Sequence, residues 1–382
     1  MPSDPAPPRL DVDGILADPG VRILVCCGAG GVGKTTTAAA LALRAAERHG
    51  RRTVVLTIDP ARRLAQSLGL NELDNTPRRV KGIDTELSGG ELHAMMLDMK
   101  RTFDDVVLAH TEPKRAAEIF ANPFYQAMSS TFAGTQEYMA MEKLGQLHAR
   151  GEWDLIVVDT PPSRSALDFL DAPARLSRFL DGRMLRMLLA PARSGGRSVF
   201  SLVTASFGVF ARVVQKVIGA QLLSDLSGFV AALDSMFGGF RQRAEQTYRV
   251  LQARETAFLL VATPEPDAIR EAAYFARRLD EERMPLAGLI LNRMHEPAVV
   301  EPTAEQCLAG IARLREKGGH DSTIEALKVH AALIQQSARE RQVAATFTDV
   351  FPSVPTGMVA AQPADVHDVD GLRTIGVAIS SS

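Results

Sequence analysis

The stretch ILVCCGAGGVGKTTT, residues 23–37, constrains this chain more than any other. Five apolar or small residues, Ile23 to Cys27, read as a buried strand. They run into Gly28, four further residues and then Gly33-Lys34-Thr35, which fits the phosphate-loop pattern G-x-x-x-x-G-K-[ST]. Glycines let the backbone turn tightly and approach a phosphate, because no Cβ stands in the way. Successive amides and the N-terminus of a following helix then point at the anion. Gly28, Gly30, Gly31, Val32, Gly33, Lys34, Thr35 and Thr36 are therefore the candidate nucleotide-binding residues. Lys34 would bring a positive charge to the outer phosphates, and the Thr35 hydroxyl would hold Mg2+. The helix implied after the loop, TTTAAALALRAAERHG, closes on Gly50, a C-terminal stop signal. A nucleoside triphosphate with its magnesium ion is the ligand this pattern implies.

A chain of 382 residues can bury a large core, as one big α/β domain or one domain with inserts. Its net charge of −2 offers no bulk attraction to nucleic acid or to an acidic membrane. Three cysteines, two of them adjacent in the first strand, make no disulfide framework and suit a reducing compartment. The opening MPSDPAPPRLDVDG is Pro-rich and acidic, unlike the basic and then apolar start of a signal peptide. Residues 1–20 read as a flexible leader. No window reaches the ~18 uncharged apolar residues that a spanning helix needs. The expectation is a cytoplasmic protein with no integral membrane span.

Residues 53–58, TVVLTI, form a second strand-like run that ends in Asp59-Pro60. An acid at a strand tip beside a phosphate site is where a Mg2+ partner or a water-orienting group would sit. An ordinary turn aspartate would look the same locally. Residues 61–150 turn helical and mixed, with LHAMMLDMKRTFDDVVLAH carrying apolar residues at spacings of three and four. The run 153–158 returns to strand and closes on Asp159, the expected second acid of a phosphate-loop enzyme.

Residues 165–255 are the part a nucleotide site does not explain. They are rich in Met, Phe, Leu and Val beyond what one buried stripe requires. Two readings stay open. The stretch is either a plain helical core or dimer contact, or an adaptable apolar groove for a client segment, with Met184, Met187 and Phe210 in its lining. Two more strand-like runs, 257–263 and 286–292, flank the amphipathic PDAIREAAYFARRLDEER. Alternating strands and helices imply right-handed crossovers and a mostly parallel sheet. A charged helical region at 303–345, a last short strand and a short tail helix follow. With its single arginine, the tail has too few cations for a membrane-surface helix.

Four segments together give the chain a family resemblance: GGVGKTTTAAALAL at 30–43, LTIDPARRLAQSLG at 56–69, DTPPSRSALDFL at 159–170 and LILNRM at 289–294. They resemble the phosphate loop, two switches and base-recognition strand of the arsenical-pump ATPases and the related ATPases that target tail-anchored membrane proteins. A weaker fit is GTQEYMAMEKL at 134–144, like an acidic helix that faces a partner subunit. The resemblance implies an α/β phosphate-loop NTPase, with a mostly parallel twisted sheet flanked by helices. Residues 21–382 would form a single ATPase domain with a helical insert subdomain at about 85–150 and 165–255. It also implies roles. Lys34 and Asp59 would be catalytic, with Asp59 positioning the attacking water. Thr35, Asp59 and Asp159 would hold Mg2+, partly through water, and Asn292 would read adenine. The family works as a dimer in which ATP closes the subunits and shapes a hydrophobic groove, a switch biased by γ-phosphate contacts.

Three departures matter. Where the family carries a second lysine in the loop, this chain has Ala29. In the family that lysine reaches the neighbour's phosphates much as an arginine finger does, and losing such a cation costs orders of magnitude in rate. A heterodimer with a lysine-bearing relative is therefore favoured over a homodimer, unless Arg62 or Arg63 supplies the charge. Arsenite handling requires thiolates that meet in space, whereas Cys26 and Cys27 point to opposite sides of a strand and Cys307 is remote. The C-x-x-C pair that holds an interface zinc in eukaryotic targeting ATPases is missing, so no structural zinc is expected. Other readings are an ATP-binding scaffold subunit with little turnover, an anion-pump subunit, and a partitioning-type ATPase, which would show a basic face or an amphipathic tail.

Overall fold

The computed structural model describes residues 7–58, 63–122, 125–126, 135–161 and 242–381. Two compact units divide the chain: Met1–Met96 with Arg150–Leu167 and Val250–Ser382 form the first, and Leu97–Ala149 with Asp168–Arg249 the second.

The first unit is built on eight strands: β1 (Ile23–Cys27), β2 (Arg52–Thr57), β3 (Arg78–Arg79), β4 (Glu91–Met96), β5 (Leu155–Asp159), β6 (Thr256–Ala262), β7 (Leu286–Met294) and β8 (Thr356–Ala360). Their order is β3-β4-β2-β5-β1-β6-β7-β8. Every pairing is parallel except that of β3 with β4. β1, β5 and β6 are buried along their whole length, as expected of parallel strands covered on both faces. The Lys34–His49 helix packs its Ala38–Ala46 run against the sheet, in one core with Leu24, Val55, Val157 and Leu259. Small alanines let this helix come close to the strands. The α/β phosphate-loop fold is the observed architecture.

Two expectations need correction. Residues 7–20 of the proposed leader are packed. Leu10, Val12 and Leu16 are at most 2% exposed, and Asp11 caps the Val12–Ala17 helix by accepting from the Gly14 amide. The segment also lies along β8, where the Thr356 amide donates to the Pro8 carbonyl at 2.9 Å. Arg51, itself buried, donates to the carbonyls of Leu16, Asp18 and Val21. Proline and acid content hid three apolar residues that need a core. Residues 92–96, expected to open a helical stretch, belong instead to β4, in register with β2 from Arg52↔Glu91 to Thr57↔Met96. The helix begins only at Met99, capped by Asp98. Pairing with a neighbouring strand overrode local helical spacing.

In the second unit, helices Met99–His110, Pro113–Ala121 and Thr135–Arg150 are described. The buried Glu142 pairs with Arg243, 101 residues away, at 2.9 Å. Residues Met184, Met187 and Phe210 lie outside the described residues. Among the described residues, no helix is long and apolar enough to cross a membrane.

Candidate functional site

Four strands of the parallel sheet deliver their carboxyl ends to one edge of the first unit, and the candidate residues sit there. At the end of β1 the chain enters the loop through Gly28, at φ +151°, where a Cβ would stand 2.0 Å from the Val261 carbonyl oxygen. Only glycine fits so close to β6. The loop exposes Gly30 and Gly31 and buries Val32. Gly33, at φ +97°, then turns the chain into the helix. The first intrahelical bond runs from the Thr37 amide to the Gly33 carbonyl at 2.9 Å, which leaves the amides of the first turn, Thr36 included, directed outward. That is an anion cradle of backbone N–H groups.

Lys34 is 7% exposed, and its ammonium donates to the Ala29 carbonyl at 2.6 Å, folding the side chain along the loop. Thr35 Oγ1 donates to Asp159 Oδ2 at 2.8 Å. Thr57, at the end of β2, donates to the same oxygen at 2.8 Å. Strand register explains the meeting, because Asp159 stands level with Cys26 on one side and Thr57 on the other. Next to it, the Thr160 hydroxyl donates to the Cys26 carbonyl at 2.8 Å. Thr35 and Asp159 are hard oxygen donors held within hydrogen-bond reach of each other, a donor set that suits Mg2+. Asp59, with Arg62, lies outside the described residues, as does everything after Pro161 in the 159–170 motif.

Asn292, near the end of β7, reaches back to the loop, and its Nδ2 donates to the Val32 carbonyl at 2.8 Å. Ala29, at the position of the family's second lysine, packs its methyl against the small cluster of Val32, Val261 and Ala268. Beneath the loop, burial pushes the Cys27 thiol up to about 12, with the Thr160 hydrogen bond and Lys34 opposing and Asp159 adding to the rise. Burial likewise raises Cys26 well above its ordinary value. Both sulfurs therefore stay protonated and poorly nucleophilic at neutral pH.

The family model described as anion-transporting ATPase matches residues 21–313. The chain belongs to that family. Among its relatives, it is 27% identical over 279 residues to ATPase GET3C of Arabidopsis thaliana, covering 70% of this chain and 65% of that protein. It is 24% identical over 308 residues to ATPase GET3 of Malassezia globosa, 80% of each chain. A putative arsenical pump-driving ATPase of Chlorobaculum tepidum is 32% identical over 168 residues, 41% of this chain and 37% of that one. The family match takes in the loop, β2, β5 and β7, so all four strand ends of the candidate site lie inside it. It stops within the Ala304–Lys317 helix, before the long Asp321–Thr348 helix.

Two residues at this site, Thr57 and Thr160, carry no role in the sequence reading. Thr57 was a polar residue in an apolar strand, and its position before Asp59 was the available signal. Thr160 and the packing of Ala29 needed strand register, which no local pattern carries.

Proposed function

We propose that this anion-transporting ATPase family member binds and hydrolyses ATP as a dimeric switch, completed by a lysine-bearing partner subunit. The observation that carries the reading is the Thr35–Asp159 hydrogen bond at the first turn of the phosphate-loop helix, with the Lys34 ammonium folded along the loop to the Ala29 carbonyl. In this reading the amides of the loop and first helical turn bind the phosphate chain, and Lys34 turns from the Ala29 carbonyl to the outer phosphates. Thr35 and Asp159 would hold the magnesium ion, which would supply positive charge to offset the negative charge that develops in phosphoryl transfer. Asp59 would orient the attacking water, and Asn292 would read adenine.

Ala29 is the reason for the partner. Its methyl group, packed against the Val32, Val261 and Ala268 cluster, brings no cation to the transition state. The same observation favours a second reading, an ATP-binding regulatory or scaffold subunit with little turnover of its own. An arsenite-pump role is weaker, because two of the three thiols are consecutive on one strand and all three are buried. The apolar 165–255 stretch and the GET3-named relatives support a hydrophobic protein segment as client. A cytoplasmic location, with any membrane contact made through a partner, follows from that role.

The test is Mg-ATP turnover by the purified chain alone, then mixed with a lysine-bearing relative. Slow turnover alone, faster turnover in the mixture and loss in Asp59→Asn are expected. Rapid turnover alone, unchanged when Arg62 and Arg63 are replaced, would exclude the partner. Retained client capture after Met184, Met187 and Phe210 are all changed to Ser would return 165–255 to ordinary core.

A further inference from the structure

The carboxamide of Asn292 is engaged on two sides. Its Oδ1 accepts from the Arg293 amide at 2.9 Å, and its Nδ2 donates to the Val32 carbonyl at 2.8 Å. The two bonds fix which end is oxygen and which is nitrogen, since an amide N–H faces one and a carbonyl the other. The backbone is shaped for this. Arg293 has φ +61°, and the pairing of β7 with β8 slips between Leu291 and Met294. A non-glycine residue held in the left-handed region costs energy and persists where its surroundings impose it. Here the surroundings are visible on the far side of the slip. The His295 amide donates to Glu340 Oε2 at 2.7 Å, and the His295 ring meets Glu340 Oε1 at 2.7 Å. Gln336 donates to Glu340 Oε1 at 3.0 Å, so the Asp321–Thr348 helix grips the end of β7.

On the near side the fit is equally close. A Cβ on Gly33 would stand 2.4 Å from Asn292 Nδ2, so the loop gives up a side chain where the carboxamide presses against it. Val32, whose carbonyl accepts this bond, is 2% exposed and precedes the turn that aims the first helical amides. Lys34 holds the Ala29 carbonyl at the other end of the loop, and Asn292 holds the Val32 carbonyl at this end.

We infer that Asn292 is a positioning residue for the phosphate loop, holding its amides in the anion-binding arrangement whether or not a base is present. This rests on the ATP-site reading above and deepens it. A residue that only reads the base acts on the adenine end of ATP. A residue that braces the loop acts on the phosphate end, and on the empty loop as well.

The experiment compares wild type and Asn292→Ala in binding Mg-tripolyphosphate, which has no base, alongside Mg-ATP, with amide hydrogen exchange of residues 28–37 in the nucleotide-free chain. Bracing predicts that tripolyphosphate binding weakens about tenfold, because the Val32 carbonyl is left buried without its partner. It also predicts faster exchange of the loop amides, with exchange of the β-sheet amides away from the loop unchanged. Weaker ATP binding with tripolyphosphate binding and loop exchange both unaltered would overturn the inference and leave base reading alone. If wild type binds ATP but no tripolyphosphate, loop exchange alone decides, in the same two directions. Should Asn292→Ala not fold, Asn292→Asp keeps the size and the acceptor for the Arg293 amide while removing the donor, and exchange is read there. Wild type that binds no Mg-ATP would instead sink the ATP-site reading itself.

Discussion

The Thr35 hydroxyl donates to Asp159 Oδ2 at 2.8 Å across 124 residues of sequence, joining the first turn of the phosphate-loop helix to the carboxyl end of β5. Asp159 is fully buried and accepts from Thr57 as well, so its carboxylate is aimed by two hydroxyls before any ion arrives. Replacing Asp159 with Asn removes the charge and leaves the shape. Mg-dependent ATP hydrolysis should fall by about 100-fold or more, by analogy with the loss of other groups that stabilise charge in phosphoryl transfer. Nucleotide binding measured without magnesium should change little. Phosphate release and calorimetry in EDTA check the two halves of this prediction.

Ala29→Lys is the complementary change. Position 29 is half-buried beside Val261 and Ala268, and a lysine there has to lead its ammonium out past the exposed Gly30. If the missing cation limits the lone chain, its turnover should rise at least about tenfold, short of the ~10³-fold or more that a fully placed transition-state cation supplies. A rate equal to that of the unaltered chain would show that something else limits it.

Gly28→Ala tests the loop's entry. The new methyl would lie 2.0 Å from the Val261 carbonyl oxygen, in a backbone conformation that side chains rarely adopt. The loop must shift away from β6, at a cost of about 3 kcal/mol or more. Chemical denaturation should show the loss, and ATP binding should fall with it. Gly31→Ala shares a positive φ, +78°, but meets nothing within 4 Å, so its cost should be distinctly smaller.

Asp13 gives the chain an acid-sensitive contact. Hydrogen bonding to Arg44, helped by His49 and opposed by partial burial, lowers its carboxyl from 3.8 to about 2. A carboxylate favoured in the folded state adds stability above its unfolded value, and that stability is lost as pH falls from about 4 to about 2. The Asp13 side chain is 39% exposed, so solvent screening limits the contribution to about 1 kcal/mol at most. Asp13→Asn should flatten that part of the acid limb in urea denaturation and leave its shape above pH 5 unchanged.

Much of the site was legible because its chemistry is local. Gly28, Gly33, Lys34 and Thr35 fall within eight residues, and a phosphate cradle needs them in that order. Asp159 was legible as the acid that closes an apolar strand. Residues 92–96 were misread, because a short run with mixed spacing becomes a strand only when β2 lies alongside. Leu10, Val12 and Leu16 were masked by the prolines and acids around them, since too few apolar residues fall in any window to signal a core segment.

What the sequence by itself determined is the phosphate loop, the alternation of strands and helices, and hence the anion-transporting ATPase fold. These depend on residue order and short-range periodicity. Only the tertiary structure decided that Thr57 shares the Asp159 carboxylate, that Ala29 packs against the cluster of Val32, Val261 and Ala268, and that Asn292 braces the Val32 carbonyl from 260 residues away. Those contacts depend on which strands lie side by side and in what register, which is set by the packing of the whole sheet.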